Sequence, residues 1–159
     1  MKPWAAAALT AGAVAAIAVG AAVVWKADRG AERPIQLRPD DAAVTALGRK
    51  VYEAQCAACH GARLEGQLNW RDRGPDGRLP APPHDASGHT WHHPDELLFR
   101  ITKHGVAKAA KLNDYASAMP AYDGVLSDAE IVAALSWIKA QWPADIRVRH
   151  DELNRAASR

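Results

Sequence analysis

Two cysteines in 159 residues cannot form a disulfide scaffold. Large apolar side chains are also scarce. The sequence has one Phe and three Tyr, and although 48% of it is hydrophobic, 35 of those residues are Ala. One domain of this length therefore has little of its own to bury, and a large bound apolar group would make up the difference. There is no Lys/Arg run of the kind that grips nucleic acid, and the formal net charge is +2. No stretch alternates apolar and polar residues as a half-buried strand does, and no segment repeats. The charged fraction of 24% is that of a folded domain, so wholesale disorder is excluded as well.

One long hydrophobic run is present. Trp4 to Trp25 is 22 residues without a charge, bracketed by Lys2 and Lys26. As a helix it would reach about 33 Å, enough for a bilayer core of about 30 Å. A cleaved signal peptide usually has an apolar region of about 7–15 residues, so the length favours a retained anchor. The Ala-x-Ala triplets within it keep a cleaved, exported form open. Residues 1–26 are thus read as an N-terminal membrane anchor or signal. Apart from Lys2 and Lys26, the remaining 18 basic residues balance 18 acidic ones, leaving no gross charge bias toward any partner.

Breakers divide the rest. Residues 27–40 are polar with two prolines and are read as a tether. Asp40 or Asp41 can cap a helix running to about Ala57, with Val44, Leu47, Val51 and Tyr52 on one face. Gly and Pro crowd residues 61–93, which predicts a long loop, and such loops in small domains usually wrap something. Pro94-Asp-Glu opens a second helix with Leu97, Leu98 and Ile101 on its apolar face, and Gly105 stops it. A short helix is expected near 107–116. Ser127-Asp-Ala-Glu130 is a capping box for a helix carrying Ile131, Leu135, Trp137 and Ile138 and ending before Pro143. Residues 41–143 are read as the domain, and 144–159 as a charged extension that could form a short helix, with no evident apolar core of its own.

One motif carries chemistry: Cys56-Ala-Ala-Cys59-His60. In C-x-x-C-H the two thiols can form thioethers with the vinyl groups of one haem, and the adjacent imidazole then sits under the iron as an axial ligand. A zinc site would need a second pair of ligands with clear spacing, which does not follow, and Cys59 and His60 are poorly placed to share one tetrahedral ion. A dithiol redox motif would need a βαβ context. The reading is therefore one covalent haem c on Cys56 and Cys59, with His60 as the first iron ligand. Met119, in Ala118-Met-Pro-Ala-Tyr122, is the only methionine besides the initiator, and Pro120 stiffens the backbone beside it. It is the candidate sixth ligand, the alternative being a Met that fills an apolar gap.

In these features the chain resembles a monohaem class I cytochrome c over roughly residues 42–142, of the membrane-anchored bacterial kind. The matches are Gly48-x-x-x-Tyr52, C56-A-A-C-H60-G61, Pro94 to Gly105, Met119-Pro-Ala-Tyr-Asp-Gly-Val-Leu-Ser127 and Trp137-Ile138. The resemblance implies an all-α class I cytochrome c fold, three to five helices around one covalent haem, behind the N-terminal span. It implies that the first and last helices cross near Gly48, Tyr52 and Trp137. It also implies that a proline carbonyl, of Pro82 or Pro83, accepts a hydrogen bond from the His60 imidazole. The loop 67–93 is longer and richer in His and Trp than in the simplest members.

The function implied is that of a one-electron carrier rather than an enzyme, since an iron held by both His60 and Met119 has no open position for substrate. Its expected partners are redox proteins, donor and acceptor, and the membrane through residues 4–25, with no nucleic acid. The expected location is the cell inner membrane, single-pass, with the haem domain on the periplasmic side, or a cleaved periplasmic form. Two rivals remain: a haem-bearing subunit of a larger oxidoreductase, and a haem sensor or enzyme with a labile sixth ligand. His84, His89, His92 and His93 fall within ten residues. Export of the domain would put copper or zinc within their reach, and imidazole suits both, but adjacent His92 and His93 tend to point apart. The expectation is a loop that covers one haem edge and docks partners, with Trp91 shielding the ring or reaching a propionate, the histidines solvated or capping the helix at Pro94, and no second metal.

Overall fold

A computed structural model of the chain describes residues 34–159. The expected span Trp4–Trp25, and the tether up to residue 33, lie outside the described residues. Among those described, no helix is long and apolar enough to cross a membrane. The described residues form α1 (Ala42–Gln55), α2 (Ala57–His60), a 3-10 turn (Thr90–His92), α3 (Asp95–His104), α4 (Val106–Ala109), α5 (Asp128–Ala140) and α6 (Ala144–Ala157), with no strand. The all-α expectation matches. The helix number exceeds the three to five expected because the first helix breaks at Cys56 and because the charged extension is itself a full helix. The short helix expected near 107–116 is one turn, α4.

Local chemistry sets the two principal helices. The Asp41 carboxylate accepts the N–H groups of Ala43 and Val44 and starts α1. The expected capping box starts α5: Ser127 Oγ accepts the Glu130 N–H, and the Glu130 carboxylate accepts the Ser127 N–H at 2.8 Å. α5 is buried nearly all round, through Ile131, Ala133, Ala134, Leu135 and Ile138. α1 contributes Gly48, Val51 and Tyr52 to the shared core. Leu47, expected on that face, is 41% exposed, because the seam runs through Gly48 beside it.

The crossing is a backbone contact. A Cβ on Gly48 would lie 1.9 Å from the Ala133 carbonyl oxygen. Just beyond, the Tyr52 and Trp137 rings pack at 4.7 Å between centroids, and Tyr52 is wholly buried. α3 packs Leu98 and Phe99 into the same core and ends at Gly105, whose φ of 84° suits glycine.

Both chain ends differ from the sequence reading. The tether, expected over 27–40, joins the fold by Ile35. Leu37 is buried, its N–H donates to Asp95 Oδ2 at 2.8 Å, and the Arg38 N–H donates to Ser136 Oγ at 2.9 Å. The extension 144–159, expected to lack a core, docks as α6, burying Ile146 and His150. It is held by hydrogen bonds and ion pairs: Lys139–Asp151 at 2.5 Å, Arg147–Asp40 at 2.6 Å, and a reciprocal pair between Asn154 and Asp95. Polar docking of this kind leaves no apolar stripe to read.

Two outcomes follow. Gly48→Ala should lower the unfolding free energy by about 3 kcal/mol in urea titrations, because the carbonyl it meets belongs to the backbone of α5. His150, fully buried, is held below its ordinary 6.5 by desolvation and then by Lys139, with Asp95, the His93 carbonyl and Asp151 opposing. The unfolded chain therefore takes up this proton more readily than the folded one. The contribution is complete above about pH 6.5 and is lost as pH falls below it. His150→Gln should flatten that part of the pH dependence of the melting temperature.

Candidate functional site

The site begins where α1 stops. Cys56 lies outside both helices, and its carbonyl accepts the N–H groups of Cys59 at 3.1 Å and His60 at 2.9 Å, closing one turn. That turn places both thiols and the imidazole together. Cys56 is half-buried and Cys59 exposed, and both are free. Burial, with a contribution from Cys59, pushes the Cys56 thiol up to about 11. The chain then turns at Gly61, whose φ is 83°. The Tyr52 hydroxyl donates to the Gly61 carbonyl at 2.7 Å, fixing the end of the motif to the α1–α5 crossing.

His60 is buried, and its Nδ1 lies 2.8 Å from the Pro82 carbonyl oxygen. A carbonyl only accepts, so Nδ1 carries the proton and Nε2 keeps its lone pair. Burial holds the imidazole below 6.5, the Pro82 bond opposing. It is therefore neutral at neutral pH, the form that ligates a metal. The structure thus chooses Pro82 over Pro83. The loop packs backbone on backbone to achieve this: a Cβ on Gly66 would fall 2.4 Å from the Pro83 nitrogen, and one on Gly88 2.0 Å from the Pro83 oxygen.

Met119 sits half-buried on the loop between α4 and α5, its N–H donating to Ser117 Oγ at 3.1 Å. Tyr122 joins this loop to the Cys56–His60 turn. Its hydroxyl donates to the carbonyl of Gln55, the residue before the motif, at 2.7 Å. The N–H groups of Tyr122 and Asp123 donate to the carbonyls of Thr102 and Lys103 at the end of α3. Tyr122 belonged to the sequence pattern but had no role assigned. A tyrosine three residues after a lone Met-Pro was the available signal.

His84 is the other residue whose place sequence reading missed. Its ring stacks on that of His60, centroids 4.0 Å apart, and its Nδ1 lies 2.7 Å from Thr90 Oγ1. Desolvation, then His60 and His89, hold it well below 6.5. The other histidines of the loop are spread out. His89 stacks on Trp70, His92 stacks on Trp91, and His93 meets His89 edge-on. Among the described residues no three His, Cys, Asp or Glu side chains converge as a metal cage. None of them caps α3 either, because the Asp95 N–H donates to Asn154 Oδ1. Trp91 turns its indole N–H toward the Ala86 carbonyl at 3.4 Å.

The donor set fits a covalent haem. Two thiols lie one turn apart, beside a buried neutral imidazole with its outer nitrogen bare, and a thioether sits on a loop tied back to the same turn. Residues 43–138 match the family model described as "Cytochrome C oxidase, cbb3-type, subunit III". No curated protein and no solved structure matches the chain.

Tyr122→Phe should leave the Gln55 carbonyl without this donor and cost about 1 kcal/mol in denaturant titrations. Faster hydrogen exchange at the Tyr122 and Asp123 amides, relative to α5, would accompany the loss.

Proposed function

The chain belongs to the c-type cytochrome family described as cbb3-type cytochrome c oxidase subunit III and binds haem c covalently, and from that premise we propose that it is a one-electron carrier of a membrane-associated electron-transfer chain. Haem c, when bound, supplies the one-electron Fe(III)/Fe(II) couple. Cys56 and Cys59, the only cysteines of the chain, hold it through thioethers. His60 would hold the iron through Nε2, and the Pro82 carbonyl, by accepting the hydrogen bond of the Nδ1–H, fixes the ring and would raise its basicity. The Met119 sulfur would be the other protein ligand to the iron, a donor that favours the ferrous state relative to a second histidine. Tyr122 holds the Met119 loop against Gln55. With His60 and Met119 both holding the iron there would be no place for substrate, so the protein is read as a carrier and not an enzyme. Residues 4–25 are read as the span that keeps the haem domain beside its redox partners on the periplasmic side. Their charge-free length supports this.

The observation that carries this reading is the 2.8 Å contact of His60 Nδ1 with the Pro82 carbonyl, which leaves Nε2 to face a metal, within a C-x-x-C-H turn. A second reading, a haem-bearing subunit of a larger oxidoreductase, is favoured by the description of the matching family. Copurification of the haem with stoichiometric partner chains in mild detergent would select it.

Absorption spectra test the ligand set. The ferric protein should show the sulfur-to-iron charge-transfer band, and the ferrous protein should not bind carbon monoxide. Met119→Ala should abolish the band and admit carbon monoxide. Cys56→Ala with Cys59→Ala should release the haem on acid extraction. Carbon monoxide binding by the unmodified ferrous protein would replace the carrier with the labile-ligand sensor or enzyme.

A further inference from the structure

The residues that follow the matched family segment reach back to the loop holding His60. That loop, 82–93, does two things: the Pro82 carbonyl accepts a hydrogen bond from the His60 Nδ1–H, and the His84 ring lies flat on the His60 ring. The His84 and Asp85 amides, both bonded to the Leu64 carbonyl, secure its near end from within.

Two further bonds grip it from outside, one near each end. The Trp142 indole N–H donates to the His84 carbonyl at 2.7 Å. His150 Nε2 lies 2.9 Å from the His93 carbonyl and so carries the proton it donates there. Both side chains are buried, and their rings meet edge-to-face at 5.0 Å, so the two grips form one unit. α6 holds that unit in place through Ile146 in the core, Asn154 on Asp95, and Asp151 on Lys139. The matched family segment ends at residue 138, before Trp142 and before all of α6.

We propose that Trp142 and α6 form a proximal brace, and that Trp142 and His150 are positioning residues for the iron ligand His60. This rests on the reading of His60 as that ligand and is independent of Met119. The brace keeps Pro82 and His84 closed over the imidazole. That preserves the Nδ1–H bond, excludes water from it, and so fixes the electron donation of the ring to the iron. Trp142, just before α6, and His150, on it, place their two donors on carbonyls of the same loop.

The test uses the full-length holoprotein. Trp142→Phe keeps an aromatic ring and removes the N–H together with the second ring of the indole, a loss of packing that the control below accounts for. Two quantities are read: the solvent exchange rate of the His60 Nδ1 proton by NMR, and the midpoint potential. A weakened Nδ1–H bond donates less to the ferric iron, so the potential should rise. The expected result is an exchange rate faster by about tenfold and a ferrous-to-ferric ratio higher by about threefold at fixed poise. Val51→Ala, a truncation of a buried residue on α1 that makes none of these bonds to the loop, serves as the destabilised control and should move neither. If Trp142→Phe does not retain haem, Asn154→Ala replaces it, with smaller changes in the same directions.

Wild-type exchange and potential in the variant would overturn the brace, as would equal changes in Val51→Ala. Absence of iron-shifted His60 ring signals from the unmodified protein would overturn the ligand reading and the brace with it. Their presence beside an unchanged variant overturns the brace alone.

Discussion

At Gly48 the backbone of α1 lies against the carbonyl of Ala133 in α5, closer than any side chain would permit. The rest of the described fold depends on that approach. It sets the angle at which α1 delivers Cys56, and it brings Trp137 onto Tyr52, whose hydroxyl then fixes Gly61 at the far end of the C-x-x-C-H turn. An Ala-rich α5 makes the approach possible, because small side chains let the helices close. The scarcity of large apolar residues is thus partly a condition of the geometry.

The site itself is held mainly by backbone carbonyls taking side-chain donors. Gly61 takes Tyr52, Gln55 takes Tyr122, Pro82 takes His60, and His84 takes Trp142. Each bond positions a loop that has no ladder or helix of its own. A loop without periodic structure must satisfy its buried carbonyls somewhere, and here it does so with the rings that flank the C-x-x-C-H turn. The loop is therefore ordered by the same contacts that order the ligands.

Signals written in residue type and short spacing were legible in the sequence. Asp41 as a cap, the Ser127–Glu130 box, the stop at Gly105, and Gly48 with Tyr52 and Trp137 at the crossing all match the structure. The turn that gathers Cys56, Cys59 and His60 was legible because its spacing is its geometry. The choice of Pro82 over Pro83 was not, since it turns on the backbone contacts of Gly66 and Gly88 with the proline segment. Nor was the docking of α6: His150 and Asn154 work through single bonds to a carbonyl and a carboxylate, which leave no repeat along the chain. His84 was grouped with its histidine neighbours by proximity in sequence, whereas its ring stacks on a residue 24 positions earlier.

Asp95 has a consequence for how the molecule comes apart. Its buried carboxylate receives the N–H of Leu37 on one oxygen and the amide of Asn154 on the other, while its own N–H goes to Asn154. Segments 58 and 59 residues away on either side thus share one side chain. Releasing either leaves a buried, half-satisfied carboxylate that weakens the hold on the other. Residues 35–38 and α6 are thereby coupled through Asp95, and release of one is expected to loosen the other.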